Sequence, residues 1–201
     1  KFFSSDGFAL GFKKRGTWWI VENLKKESGI FDEEFENKLN LIKSYCENSG
    51  LPAWHPPKKV GFFRYLVVRK SYKDNQLLLK LVTSDTNIEK FDFKAFTDFV
   101  VNLLGDRLAG LLHTINNDIG DNAQSRIGDD KLLYGKSTIN EDLLGLSFEI
   151  SMQSFFQTNP KCAELLYNKT IEYALEGNEN ISDGVVMDLF CGTGTIGQII
   201  A

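Results

Sequence analysis

Near its C-terminal end the chain reads Val185-Val186-Met187-Asp188-Leu189-Phe190-Cys191-Gly192-Thr193-Gly194-Thr195-Ile196-Gly197: an apolar run, an acidic residue, a glycine turn and the start of a helix. Glycines reach positive φ and let a ligand approach the backbone where a Cβ would clash. The helix start offers unpaired N–H groups to an anion or carboxylate. Gly192, Gly194 and Gly197 satisfy the GxGxxG spacing of dinucleotide sites, but the acid that would hold a ribose falls about 20 residues later, past Ala201. Asp188 argues for a different ligand. A carboxylate so close to the turn would repel a pyrophosphate, whereas a cationic sulfonium cofactor with an ammonium group tolerates or favours it. Cys191 could be a thiolate activated at a helix N-terminus, but it reads more simply as a small residue in a crowded turn.

A second candidate is Ser154-Phe155-Phe156-Gln157-Thr158-Asn159. An aromatic ring can stack a base or an adenine, and Gln or Asn can pair with a uracil edge or a cofactor carboxylate. The same residues could equally be a buried Phe pair followed by a helix cap. Charge supplies a third feature. The net charge is −4, yet residues 1–75 hold 14 Lys and Arg against 9 Asp and Glu, leaving −9 for residues 76–201. Lys13-Lys14-Arg15, with Lys58, Lys59, Arg64, Arg69, Lys70 and Lys73, could neutralise phosphates or form a solvated face.

The elements that must position these residues are legible from pattern. Lys1–Ser4, Phe8–Arg15 and Trp18–Val21 read as short strands with turns at Ser5-Asp6-Gly7 and Gly16. Asp32 caps a helix to Ser49 whose apolar face is Phe35, Leu39, Ile42 and Cys46, stopped by Gly50. Leu51–Pro57, with three prolines, is a rigid loop in which His55 is a solitary histidine. Phe62–Arg69 and Gln76–Val82 form a hairpin around Lys73-Asp74-Asn75. A helix spans Phe93–Leu104, and strands follow at Leu108–Ile115, Lys131–Tyr134 and Leu146–Ser151. The acidic segment 116–130 lacks EF-hand spacing and reads as a solvated loop, so no metal site is expected. Pro160 at a helix first turn, capped by Asn159, opens a helix to about Glu176, with Leu165, Thr170, Ile171 and Ala174 along its apolar side. Gly184–Phe190 reads as a buried parallel-type strand. The fold class is thus an α+β central domain over 1–148, followed over 149–201 by the start of an α/β Rossmann-like domain.

Length and composition bound these readings. The chain has 201 residues, 42% hydrophobic and 25% charged, as in an ordinary globular chain. Three cysteines without CxxC spacing argue against a disulfide framework and a self-contained zinc site. There is no membrane-length apolar run and no secretory signal, so a cytoplasmic location is expected. The opening on Lys1 and the apolar close at Ala201 read as a fragment of a longer polypeptide.

Asp188-Leu189-Phe190-Cys191-Gly192-Thr193-Gly194 resembles motif I of S-adenosylmethionine-dependent methyltransferases. Together with Phe155-x-Gln157-x-Asn159-Pro160 about 30 residues earlier, and more loosely with Gly11–Gly16 and Leu66–Arg69, the chain resembles the RNA uracil-C5 methyltransferases, most closely their 23S ribosomal RNA branch. That resemblance implies a central domain that grips RNA and a Rossmann-like domain that binds S-adenosylmethionine. Matching positions imply cofactor contacts from Gln157, Phe190 and Thr195, with Asp188, Gly192 and Gly194 shaping the cofactor turn. They place Phe155 near a flipped uracil and, with it, Asn159, Lys13, Lys14, Arg15 and Arg69 on the RNA side.

In that family a cysteine thiolate adds to carbon 6 of uracil and a carboxylate acts as base. Both lie well downstream of motif I, so the resemblance places no catalytic residue within the chain and implies that the fragment alone is inactive. The stretch Asn23–Ser28 lacks the cysteines with which many ribosomal-branch members hold an iron–sulfur cluster, so no cluster is expected. RNA, ribosomal rather than transfer, is the expected partner of a monomeric protein. Two other readings stand: a non-catalytic RNA-binding module, and a methyltransferase with the same cofactor but another substrate class.

Overall fold

In the computed structural model, described residues are 1–4, 7–17, 19–124, 129–176, 185–189 and 191–200. The strands are β1 (Phe2–Ser4), β2 (Phe8–Lys13), β3 (Val21–Asn23), β4 (Phe63–Lys70), β5 (Leu77–Thr83), β6 (Leu108–Ile115), β7 (Lys131–Gly135), β8 (Thr138–Leu143) and β9 (Leu146–Ser151). The α-helices are α1 (Glu33–Asn48), α2 (Phe93–Leu104), α3 (Pro160–Leu175) and α4 (Thr195–Ile200). They give a three-stranded sheet β1-β2-β3, a four-stranded sheet β4-β5-β6-β7 and the hairpin β8-β9.

Strand β5 organises the whole. Leu77-Leu78-Leu79-Lys80-Leu81-Val82-Thr83 does not alternate because every residue is buried, as a central strand covered on both faces requires. It pairs antiparallel with β4 and parallel with β6, and α2 makes the crossover between the two parallel strands. Leu77, Leu79 and Leu81 share a core with Phe35, Leu39, Ile42 and Cys46 of α1 and Phe96, Val100 and Leu104 of α2. Leu78 belongs to a second core with Ile139, Leu143, Phe148, Ile150, Phe156, Ala163 and Tyr167. Lys80, buried among these leucines, is neutralised by Asp130 at 3.2 Å. Helix α1 begins where Asp32 accepts from the Phe35 N–H at 2.9 Å, and α2 where Asp92 does the same for Ala95.

Four sequence expectations change. The third strand is Val21–Asn23 rather than Trp18–Val21, because Val21 is the residue that pairs with Lys13; Trp18 lies outside the described residues. Strand β8 was not expected. Thr138-Ile139-Asn140-Glu141-Asp142-Leu143 looks polar, yet Ile139, Glu141 and Leu143 all face inward. The Glu141 carboxylate is satisfied there by the N–H groups of Tyr72 and Lys73 at 2.6 and 3.0 Å. Its hairpin turns at Leu144 and Gly145, both at positive φ (49° and 84°), the two-residue turn that matches strand twist.

Helix α3 buries Pro160, Ala163 and Tyr167, not the side predicted; Leu165 is 73% exposed. The apolar residues of the last turns therefore do not mark its packed face. Residues 185–189 form no strand, with Val185 and Met187 89% and 74% exposed. A parallel strand needs hydrogen-bonding neighbours, and none of the described strands pairs with this run. Gly184 and Phe190 lie outside the described residues.

Candidate functional site

Beside β4 the fold leaves a cleft of about 920 Å³, lined by Phe12, Arg69, Tyr72, Phe155, Gln157 and Asn159 among others. The segment after β9 builds one wall. Ser151 Oγ accepts from the N–H groups of Gln153 and Ser154 at 3.3 and 3.2 Å, which tightens the chain into a turn. Arg69 on β4 donates through Nη2 to the carbonyl oxygens of Met152, at 3.4 Å, and Ser154. The turn is thereby tied to the sheet, and the guanidinium, its pKa lowered by burial, serves the segment that carries Phe155. The sequence placed Arg69 on the RNA; the fold commits part of it to these carbonyls.

The two adjacent phenylalanines then separate. Phe156 is 9% exposed and meets the Phe148 ring at 5.8 Å, whereas Phe155 is 72% exposed at the cleft. The buried reading holds for Phe156 alone, and Phe155 is left with its ring face uncovered. For Asn159 the helix-cap reading holds. Its Oδ1 accepts from the Cys162 N–H at 3.1 Å and caps α3, while its Nδ2 has no partner among the described residues. Gln157 is half-buried on the cleft wall. Lys70 is neutralised by Asp32 at 2.7 Å and lies 5.0 Å over the Tyr72 ring. Arg107, with Lys70, holds the Asp32 carboxyl far below the usual carboxylate range.

The glycine turn forms a second cluster. Gly192 and Gly194 adopt φ of 57° and 70°, and among the described residues nothing lies within 4 Å of where a Gly192 Cβ would be. Asp188 Oδ2 accepts from the Gly197 N–H at 3.1 Å and stands at the start of α4. A Cβ on Gly197 would sit 3.3 Å from that carboxylate, so the third glycine admits the close approach of Asp188. Thr195 is buried, its hydroxyl 2.7 Å from that of Thr193. Phe190, expected at the cofactor, lies outside the described residues. Ile196 and Ile199 of α4 pack on the core that also holds Phe156, Ala163 and Tyr167, so one core supports both the cleft wall and the turn.

The basic hairpin makes a third surface. Lys13, Lys14 and Arg15 are exposed and do not line the cleft. Lys13 pairs with Asp121 at 2.9 Å and Lys14 with Glu22 at 3.4 Å. Asp121 also accepts from the Lys1 ammonium and the Tyr65 hydroxyl; burial works against its charge, but Lys1, Tyr65 and Lys13 together outweigh it and hold its pKa at about 2.

Arg64, grouped in the sequence with the cations that could meet phosphates or solvent, does neither: it is fully buried and donates to the carbonyl oxygens of Asn116, Asp118 and Gly120 at 2.6–2.8 Å. That arginine fixes the loop bearing Asp121. Tyr72, 51% exposed, was missed; an exposed aromatic between Lys70 and Lys73 was the available signal. Among the described residues no group of three His, Cys, Asp or Glu could hold a metal ion. No helix among them is long and apolar enough to cross a membrane.

Comparison with known proteins bears out the resemblance carried by the motifs. The chain is 41% identical over 179 residues to a protein of Clostridium tetani named uncharacterized RNA methyltransferase, covering 87% of the chain and 37% of that protein. It is 38% identical over 195 residues to one of the same description from Caldanaerobacter subterraneus, covering 96% of the chain and 41% of that protein. The chain thus spans about two fifths of the length of the curated relatives it matches. No family model matches. Among solved structures, the Pyrococcus abyssi tRNA (uracil-54, C5)-methyltransferase in complex with S-adenosyl-L-homocysteine superimposes with a TM-score of 0.63 at 23% identity, covering 93% of this chain and 42% of that one. The mixed α/β fold with several sheets is therefore similar to part of a methyltransferase structure.

Proposed function

We propose, from the similarity of this chain to RNA methyltransferases, that it is part of an enzyme that methylates carbon 5 of a uridine in RNA, with 23S ribosomal RNA as substrate and S-adenosylmethionine as methyl donor. In this reading residues 1–148 are an RNA-gripping central unit and 149–201 open the cofactor-binding unit of a monomeric, cytoplasmic enzyme. The observation that carries the reading is the division of Phe155 from Phe156: an aromatic held out of the core, beside two side-chain amides, is what an extruded base requires.

The residues fit the cofactor. Gly192 and Gly194 hold positive φ values that other side chains would strain, and among the described residues the space beside Gly192 is open. Gln157, Asp188, Phe190, Gly192, Gly194 and Thr195 would hold it, and when bound it supplies an electrophilic methyl group. Phe155 offers a stacking face to the target base, and the free Nδ2 of Asn159 a donor to a uracil carbonyl. Arg69 holds this segment in place through the carbonyls of Met152 and Ser154. The thiolate and the base of the reaction are assigned to the protein downstream of Ala201.

The test uses the full-length protein with methyl-labelled S-adenosylmethionine on 23S ribosomal RNA and tRNA transcripts, with the product nucleoside identified by mass spectrometry. The expected product is 5-methyluridine in the ribosomal transcript, lost in Phe155→Ala. Label in tRNA alone would move the substrate to the other branch, and label on an exocyclic nitrogen would sink the uracil reading.

A further inference from the structure

The loop 51–61 is fastened to the body of the protein with more contacts than a solvated connection needs. Trp54 N–H donates to Phe63 and Phe62 N–H to Pro52, both at 2.7 Å. Gly61 sits at φ 123°, where a Cβ would meet the Ala53 carbonyl oxygen at 2.4 Å, and Ser84 Oγ donates to the Gly61 carbonyl at 2.8 Å. At its tip the chain reverses over His55-Pro56-Pro57-Lys58-Lys59-Val60. His55 exchanges backbone bonds with Val60 and Lys59 at 2.7 and 2.8 Å, and its Nδ1 accepts from the Lys58 N–H at 3.2 Å.

The His55 ring in turn lies 5.8 Å from Phe3 and 5.6 Å from Trp19. Trp19 precedes Ile20, whose carbonyl accepts from the Lys14 N–H at 2.9 Å. This chain of contacts carries the lysine turn to the hairpin that bears Lys13, Lys14 and Arg15, more than 40 residues away in sequence.

Two features set this turn apart from Lys13 and Lys14, the second of them at Lys59 alone. Lys13 and Lys14 are ion-paired, whereas Lys58 and Lys59 are exposed and have no ion pair among the described residues. Lys59 also occupies φ 54°, the left-handed region that Gly or Asn takes more readily. Backbone strain of this kind persists where the surroundings impose it, and it gathers at working positions. A glycine there would relax the turn, so Lys59→Gly removes the ammonium group without disfavouring the turn's shape.

We propose that the Pro56–Lys59 turn is a phosphate-contacting element, and that Lys58 and Lys59 extend the Lys14–Arg15 surface to grip the RNA backbone outside the cleft. The proposal rests on the RNA-methyltransferase reading above and deepens it, because it assigns to RNA a surface remote from the base. Two ammonium groups carried on a preorganised backbone turn contact phosphates without reading sequence, and each contact releases counterions and steepens the salt dependence of binding.

The experiment measures binding of a fluorescein-labelled, uridine-containing RNA stem-loop to the full-length protein by anisotropy across a salt series. The variants are the Lys58→Ala, Lys59→Ala double, Lys59→Gly, and Lys169→Ala on α3 as control. The double variant is expected to flatten the slope of log affinity against log salt by about 0.7–0.9 per lysine, with affinity lowered several-fold at moderate salt. Lys59→Gly is expected to flatten it by one such step while its thermal midpoint holds or rises, a combination that a merely structural lysine would not give. Wild-type binding with unchanged slope in both variants overturns this inference alone. Weaker binding at an unchanged slope also overturns it, since structure rather than phosphate contact was lost. Absence of salt-dependent RNA binding by the wild type overturns it together with the proposed function.

Discussion

Asp188 accepts a hydrogen bond from the backbone N–H of Gly197 at 3.1 Å, so its carboxylate is a cap on α4. From the sequence, Asp188 was set apart by the charge of the cofactor it would face. The geometry gives it a positioning task first, because a side-chain oxygen on an early helical N–H is worth about 1 kcal/mol. Asp188→Asn keeps an oxygen acceptor and removes the charge, whereas Asp188→Ala removes both. By calorimetry on the full-length protein, Asp188→Ala is expected to weaken S-adenosylmethionine and S-adenosylhomocysteine together. Asp188→Asn should leave the ratio of the two affinities unchanged. A ratio that shifts against the sulfonium in Asp188→Asn would show that the charge itself acts on the cofactor.

Phe155 and Phe156 should separate stability from activity. Truncating buried Phe156 removes its packing in the second core and leaves a cavity, at a cost on the order of 3 kcal/mol. Phe155→Ala alters an exposed side chain and should change stability by no more than about 0.5 kcal/mol. Loss of a base-stacking face is worth about 1–3 kcal/mol, so roughly tenfold or more of RNA methylation is expected to vanish in Phe155→Ala with an unmoved unfolding midpoint. Equal stability losses in the two variants would return Phe155 to the core.

What the sequence made legible was local. Asp32 and Asn159 precede their helices and cap them; the apolar spacing of Phe35, Leu39, Ile42 and Cys46 is the buried face of α1. The unalternating β5 was legible as a strand, but its burial on both faces depends on α1, α2, β8-β9 and α3, which no local pattern contains. β8 escaped notice because an inward glutamate looks like surface until Tyr72 and Lys73 offer it two N–H groups. The apolar run 185–189 shows the converse: apolar composition alone does not make a strand where no neighbour pairs with it. In the candidate site, residue types were legible at Phe155 and Asn159, while the division of labour within each was a matter of packing.

Arg64 supports the surface of the basic hairpin from beneath. Its guanidinium stacks 4.2 Å from the Trp54 ring and holds three carbonyls of the loop that carries Asp121, which in turn pairs with Lys13. Arg64→Met keeps much of the volume but leaves those carbonyls without their donors, at a cost on the order of 3 kcal/mol. Urea unfolding should show that loss. A variant within 0.5 kcal/mol or so of wild type would mean that water replaces the guanidinium without penalty.

His113 gives the fold a pH dependence of predictable sign. Buried on β6, with Thr83 Oγ1 at 2.9 Å and the Phe93 ring at 4.3 Å, its imidazole is held neutral. Burial first, and the charge of Lys131 on the neighbouring strand second, lower its pKa from 6.5 to about 4. The unfolded chain therefore takes up a proton near pH 6.5 that the folded chain refuses until about pH 4. The contribution to stability is complete above the higher value and is lost as pH falls through that window, at up to about 1.4 kcal/mol per pH unit. Asp32 and Asp121, whose folded pKa values are depressed, lose their contributions only at still lower pH. His113→Gln should accordingly flatten the stability profile between the two pH values while leaving the steeper acid limb in place, by urea midpoints taken at intervals of pH. A wild-type profile already flat across that window would mean that the folded protein accepts the proton, and that His113 is not held neutral by its surroundings.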